Sequence, residues 1–169
     1  MVPGFVPEMR VFLFQEGFGE LNIKGKGKSF EVIDHTADIG LKVYGKDKKE
    51  LFINAAQGMF FLITGSVIVS QPDRSKKYFD IESKAANMED LLVAWLDDLL
   101  YIYFTEFVLF EDYEIISLTD EMIKTRVRGI KIEHSPYQIV QEIKAVTYHN
   151  LLVHELPNGE WEATVLFDI

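Results

Sequence analysis

Glu31-Val32-Ile33-Asp34-His35-Thr36-Ala37-Asp38-Ile39-Gly40 is the stretch around which the chain is organised. Apolar Val32, Ile33 and Ile39 flank a knot of small and polar residues. Two apolar runs interrupted in this way read as two strands joined by a tight connection. Asp34 and Asp38 bring short carboxylates, and His35 brings ring nitrogens, within a few residues of one another. Carboxylate oxygens suit Ca²⁺ or Mg²⁺ and imidazole suits softer metals, so the knot is a candidate cation site. The same residue types also form turns, because Asp and Thr side chains bond nearby backbone N–H groups. The residues alone leave both readings open.

Downstream of the knot, Leu41 and Val43 alternate with Lys42 and Tyr44, the period of a half-buried strand. Asp47-Lys-Lys-Glu50 then reads as a capping box, in which Asp47 takes the amide of Glu50 and Glu50 reaches back. A helix follows with Leu51, Phe52, Ala55, Met59 and Leu62 on one side, and Thr64-Gly65 stops it. Lys77 to Glu82 alternates as a strand, and Asn87-Met-Glu-Asp90 starts a second helix with Asn87 as its cap. From Leu91 to Phe104 nearly every position of that helix is apolar. Asp90, Asp97, Asp98 and Tyr101 fall on one narrow strip, either a solvated face or a second cation or partner site.

Phe107 to Leu118 and Met122 to Ile132 form the next hairpin, turning at Thr119-Asp120-Glu121. In its second strand Lys124, Arg126 and Arg128 share one face. They are read either as a contact for an acidic partner or phosphate, or as the charge guard of an edge strand. The chain closes with Lys144 to Leu156 and Trp161 to Ile169 around Pro157-Asn-Gly-Glu160. With Asn158-Gly159 as a two-residue loop, Leu156 faces Trp161, Val153 faces Thr164 and His149 faces Asp168. If Ile169 ends the protein, its α-carboxylate lies beside the Asp168 side chain, and the two repel unless a cation offsets them.

Composition narrows the function. The chain has 169 residues, a 48% hydrophobic fraction and a net charge of −10. That length builds one domain with a proper core. So acidic a chain is repelled by phosphate backbones, and stable direct nucleic-acid binding is not expected. It contains no cysteine, which excludes disulfides, thiolate metal sites and cysteine nucleophiles and fits a cytoplasmic setting. No apolar run approaches the roughly 20 residues of a membrane span. Met1 to Lys28 is read as an extension of uncertain order: Val11-Phe-Leu-Phe14 is a short apolar run, Lys24-Gly-Lys-Gly-Lys28 a basic connector without phosphate-loop spacing, and Met9 an alternative start.

Four pieces stand in a specific order: Asp34-His-Thr-Ala-Asp-Ile39, the helix Asp90 to Tyr101, Glu142-Ile-Lys-Ala-Val-Thr-Tyr-His-Asn150, and Asp168-Ile169. Over residues 30 to 169 the chain closely resembles the archease family, leaving 1 to 29 as an extension of the family pattern. The resemblance implies a single α+β domain, with two main helices packed on a largely antiparallel sheet. It implies an accessory protein, not an enzyme, that activates the RtcB-type tRNA-splicing ligase. That activation would promote guanylylation and turnover and broaden nucleotide use. It further implies a divalent-metal site, with calcium expected and magnesium or manganese as alternatives, on Asp38, Asp168 and the Ile169 carboxylate. His35 and His149 are placed in its neighbourhood. Two rivals stay open: a metal-dependent phosphohydrolase using the same carboxylates, and a chaperone-like module for RNA-modifying enzymes.

Overall fold

The computed structural model describes residues 29–34, 37–72 and 75–169. The extension before residue 29, and His35 and Thr36, lie outside the described residues. Strands β1 (Phe30–Asp34) and β2 (Asp38–Gly45) lead into helix α1 (Lys48–Thr64). Strand β3 (Lys76–Lys84) leads into α2 (Met88–Glu106), followed by β4 (Val108–Leu118) and β5 (Met122–Lys131). A short 3-10 turn (Ile132–His134) precedes β6 (Ala145–Glu155) and β7 (Trp161–Asp168). The strands divide into two antiparallel sheets, β1-β2-β7-β6 and β3-β5-β4. The α+β architecture is the expected one, with its sheet split in two.

Both helices start as their cap residues dictate. The Asp47 carboxylate accepts from Glu50 N at 2.8 Å, while Glu50 Oε2 accepts from Lys46 N at 2.8 Å. Asn87 Oδ1 accepts from Asp90 N at 2.9 Å. These bonds satisfy amides that have no partner within the helix. The helices lie between the sheets: α1 packs on β2 and β4, and α2 on β6 and β3. This explains why α1 is buried nearly all round, since a helix covered on both sides has no polar face to show. Aromatic contacts run through the layers. Phe30 meets Phe61 at 5.5 Å between ring centres, Phe60 meets Phe110 at 5.5 Å, and Trp95 lies 5.8 Å from Phe52 and 6.2 Å from Tyr113.

Two register expectations are corrected. Lys124, Arg126 and Arg128 are not on an edge, because β5 is the middle strand of its sheet. The closing hairpin is shifted as well. Pro157 has no N–H to close a two-residue loop, so Leu156 N donates to Glu160 O at 2.7 Å instead, with Gly159 turning at φ 85°. Glu155 therefore faces Trp161 and Val153 faces Ala163. A bulge between Thr147 and Leu152, with Asn150 at φ 53°, slips the ladder further. Ala145, not His149, lies opposite Asp168.

The acidic strip of α2 is put to structural use. Asp90 Oδ2 accepts from the Asn87 side-chain amide at 2.9 Å and Asp98 accepts from Ser83 Oγ at 2.5 Å. Asp97 Oδ1 accepts from Val146 N at 3.4 Å, on the outer side of edge strand β6. Partial burial pushes the Asp97 carboxyl above the usual range, the Val146 N–H opposes this, and Asp98 adds repulsion. A raised folded-state pKa contributes stability that is full below the unfolded value, about 3.9, and is lost as pH rises through the folded value. Asp97→Asn keeps the acceptor and removes the charge. Its melting temperature should match or exceed wild type by roughly 2 °C at pH 7, and that advantage should vanish near pH 3. Thermal unfolding at the two pH values checks this.

Candidate functional site

The four-stranded sheet buries one face against the helices. In β2, Ile39, Leu41 and Val43 point inward, and in β7 so do Ala163, Val165 and Phe167. The alternation of a strand sends Asp38, Gly40, Lys42 and Tyr44, with Asp168, Leu166, Thr164 and Glu162, to the other face. Pairing sorts that outer face into rows. Asp38, Asp168 and Ala145 form the row at the rim. Ile33, Gly40, Leu166 and Thr147 form the next, followed by Glu31, Lys42, Thr164 and Leu152. Tyr44, Glu162 and His154 close the series.

Asp38 and Asp168 are thus register partners on adjacent strands, with their side chains on the same face of the sheet, the one turned away from the helices. Directly opposed residues have Cβ atoms about 5 Å apart, a separation one cation can bridge. Ala145, with only a methyl side chain, is the register partner of Asp168 on its far side. Ile169 continues from Asp168, and its main-chain oxygen accepts from Lys144 Nζ at 3.5 Å. Lys144 N also donates to Asp168 O at 2.8 Å, tying the start of β6 to the rim. Oxygen-only donors in this arrangement fit a hard divalent cation. Among the described residues, however, no three His, Cys, Asp or Glu side chains converge as a metal group.

The other candidate residues are placed elsewhere. Asp34 pairs with Ile39, which puts it on the inner face of the sheet at the rim, away from the face of Asp38. His149 sits exposed in the β6 bulge. The basic row of β5 is matched by carboxylates from both neighbours. Lys124 meets Glu82 at 3.1 Å, Arg126 donates to both Asp80 oxygens at 2.8 and 3.2 Å, and Arg128 lies 3.4 Å from Asp112. Sequence reading missed Gly40, Leu166 and Ala145 beside the carboxylate pair. Only the strand register could have revealed them.

The hydrogen bond from Arg126 holds the Asp80 carboxyl below its usual range. Such a group stabilises the fold above its unfolded pKa, about 3.9, and loses that contribution as pH falls through the folded value. Because the pair is exposed, Arg126→Gln should lower the melting temperature only slightly at pH 7. The difference from wild type should shrink as pH falls below the unfolded value and through the lowered folded one, as thermal scans across pH would read.

Two helices held between two antiparallel sheets make this an α+β domain. Within that class the chain belongs to the archease family: the model of the Archease protein family matches residues 30–169. The chain is 34% identical to protein archease of Methanosarcina barkeri over 151 residues, covering 87% of this chain and 100% of that one. It is 35% identical to the archease-like protein of Dictyostelium discoideum, covering 86% and 96% of the two chains. The solution structure of Methanobacterium thermoautotrophicum protein 1598 matches with a TM-score of 0.65 at 32% identity, over 83% of this chain and 99% of that one. An archease crystal structure from Thermotoga maritima shares the fold, with a TM-score of 0.55 at 21% identity, over 82% of this chain and 96% of that one. No described helix is long and apolar enough to cross a membrane.

Proposed function

We propose that this chain is a metal-binding activator of an RtcB-type RNA-splicing ligase in tRNA splicing, with Asp38 and Asp168 as its cation ligands. The supporting observation is the pairing of Asp38 with Asp168 at the rim of the sheet, on the face away from the helices, in a chain of the archease family. Ile169 contributes a main-chain oxygen and, where it ends the protein, a carboxylate. A bound divalent cation, calcium first and magnesium or manganese as alternatives, supplies positive charge able to meet phosphate oxygens. The chain's own part is to hold two carboxylates rigidly at a sheet rim, where a partner's active site can approach them. The basic row of β5, neutralised by its neighbours, is left out of the partner contact.

On this reading the protein acts through the ligase and turns over no substrate itself. The test is ligase guanylylation and ligation at limiting GTP, with and without this chain. Faster guanylylation and multiple turnover with the chain present are expected, together with no phosphohydrolase activity of the chain alone. Unchanged ligase kinetics would overturn the reading. Hydrolysis of nucleotides or cyclic phosphates by the isolated chain would favour the phosphohydrolase.

A further inference from the structure

The row beneath the carboxylate pair has an unusual composition. Leu166 lies on the outer face of the sheet, two residues before Asp168, yet it is only 2% exposed and stands outside the continuous core. Its partner on β2 is Gly40, two residues after Asp38. A Cβ built on Gly40 would overlap Leu166 Cδ2 and stand 3.4 Å from Val165 O and 3.5 Å from Ile33 Cβ. The leucine tip therefore occupies the space that any side chain at position 40 would claim. Its same-face neighbours are Thr147 across the ladder and Thr164 and Asp168 along its own strand. At 2% exposure the leucine has no open solvent to move into, so a tip displaced from Gly40 has to push against its surroundings.

We infer that Gly40 and Leu166 are positioning residues of the Asp38–Asp168 pair. The bare glycine accepts the leucine, and this interlock fixes how β2 and β7 sit against each other one row below the carboxylates. The inference rests on the proposed cation site. Separate strands hold the two ligands, so their relative placement depends on such an interlock, and a ligand set displaced by a fraction of an ångström binds a cation less well.

Calorimetric calcium titration of the full chain tests this, with unfolding midpoints measured alongside. Gly40→Ala should weaken calcium binding by about 10-fold, in the range typical for residues that orient metal ligands, while the protein stays folded. Leu166→Ala, which leaves the glycine in place, should also weaken it by several-fold. The double variant Gly40→Ala/Leu166→Ala gives the new methyl room and should bind more tightly than Gly40→Ala. Rescue of affinity by a second truncation is not what a purely structural loss would produce. Wild-type affinity in folded Gly40→Ala, or in Leu166→Ala should the first variant fail to fold, would overturn the inference and leave the cation site standing. A double variant no tighter than Gly40→Ala would also overturn it. Absence of calcium binding by the wild type would overturn the cation site and the inference with it.

Discussion

Glu111→Ala is expected to cost about 3–5 kcal/mol of stability, the penalty typical of stripping one partner from a buried ion pair. The Glu111 side chain is 1% exposed and the Lys76 ammonium it faces belongs to a side chain 5% exposed. Glu111 occupies the bulge of β4 between Phe110 and Asp112, which turns its carboxylate into the structure. Its other oxygen accepts from Gln71 N at 3.1 Å, so the segment after α1 is pinned by the same group. Removing Glu111 strands a buried ammonium with no other hydrogen-bond partner among the described residues. Replacing both charges, as in Lys76→Met/Glu111→Leu, should recover most of the loss, because well-packed apolar pairs substitute for buried ion pairs at little cost. Denaturant unfolding of the three variants reads both expectations. A loss below about 1 kcal/mol in Glu111→Ala, the scale of an exposed pair, would contradict them.

Asp38→Ala is expected to abolish stimulation of the ligase, at least about 10-fold, while leaving the fold intact. Asp38 is half-exposed and at the end of a strand, so its truncation opens no core cavity. Among the described residues, its loss leaves Asp168 as the one side-chain carboxylate in that row of the outer face. Ligase turnover and the unfolding midpoint must be measured on the same preparation. Full stimulation by well-folded Asp38→Ala would remove the carboxylate pair from the account. Loss of stimulation with a large fall in the midpoint would assign Asp38 a structural role instead.

Local chemistry was the legible part of the sequence. The caps at Asp47 and Asn87, the stop at Gly65 and the turn at Thr119 to Glu121 each involve residues within a few positions of one another. Chain-distant pairing was not legible. An edge guard was one of the two readings of the row of cations at Lys124, Arg126 and Arg128, and nothing local reveals that β3 and β4 flank that strand on both sides. The hairpin register failed at one residue, Pro157, whose missing N–H moved the loop, and again at Asn150, whose left-handed backbone opens the bulge. A slip of one residue exchanges the two faces of a strand, so local pattern alone could not place His149. The Asp38–Asp168 adjacency was reached through family resemblance, and the strand register supplies its physical basis.

The central claim is that two carboxylates brought together by strand register hold one divalent cation. Calorimetric titration of calcium into wild type, Asp38→Asn and Asp168→Asn addresses it most directly. The amides keep size and shape while removing charge, so the fold is not at issue. One calcium bound by wild type, and binding weakened by about 10-fold or more in each amide variant, is the predicted result. Binding that is equal in all three proteins would contradict the account.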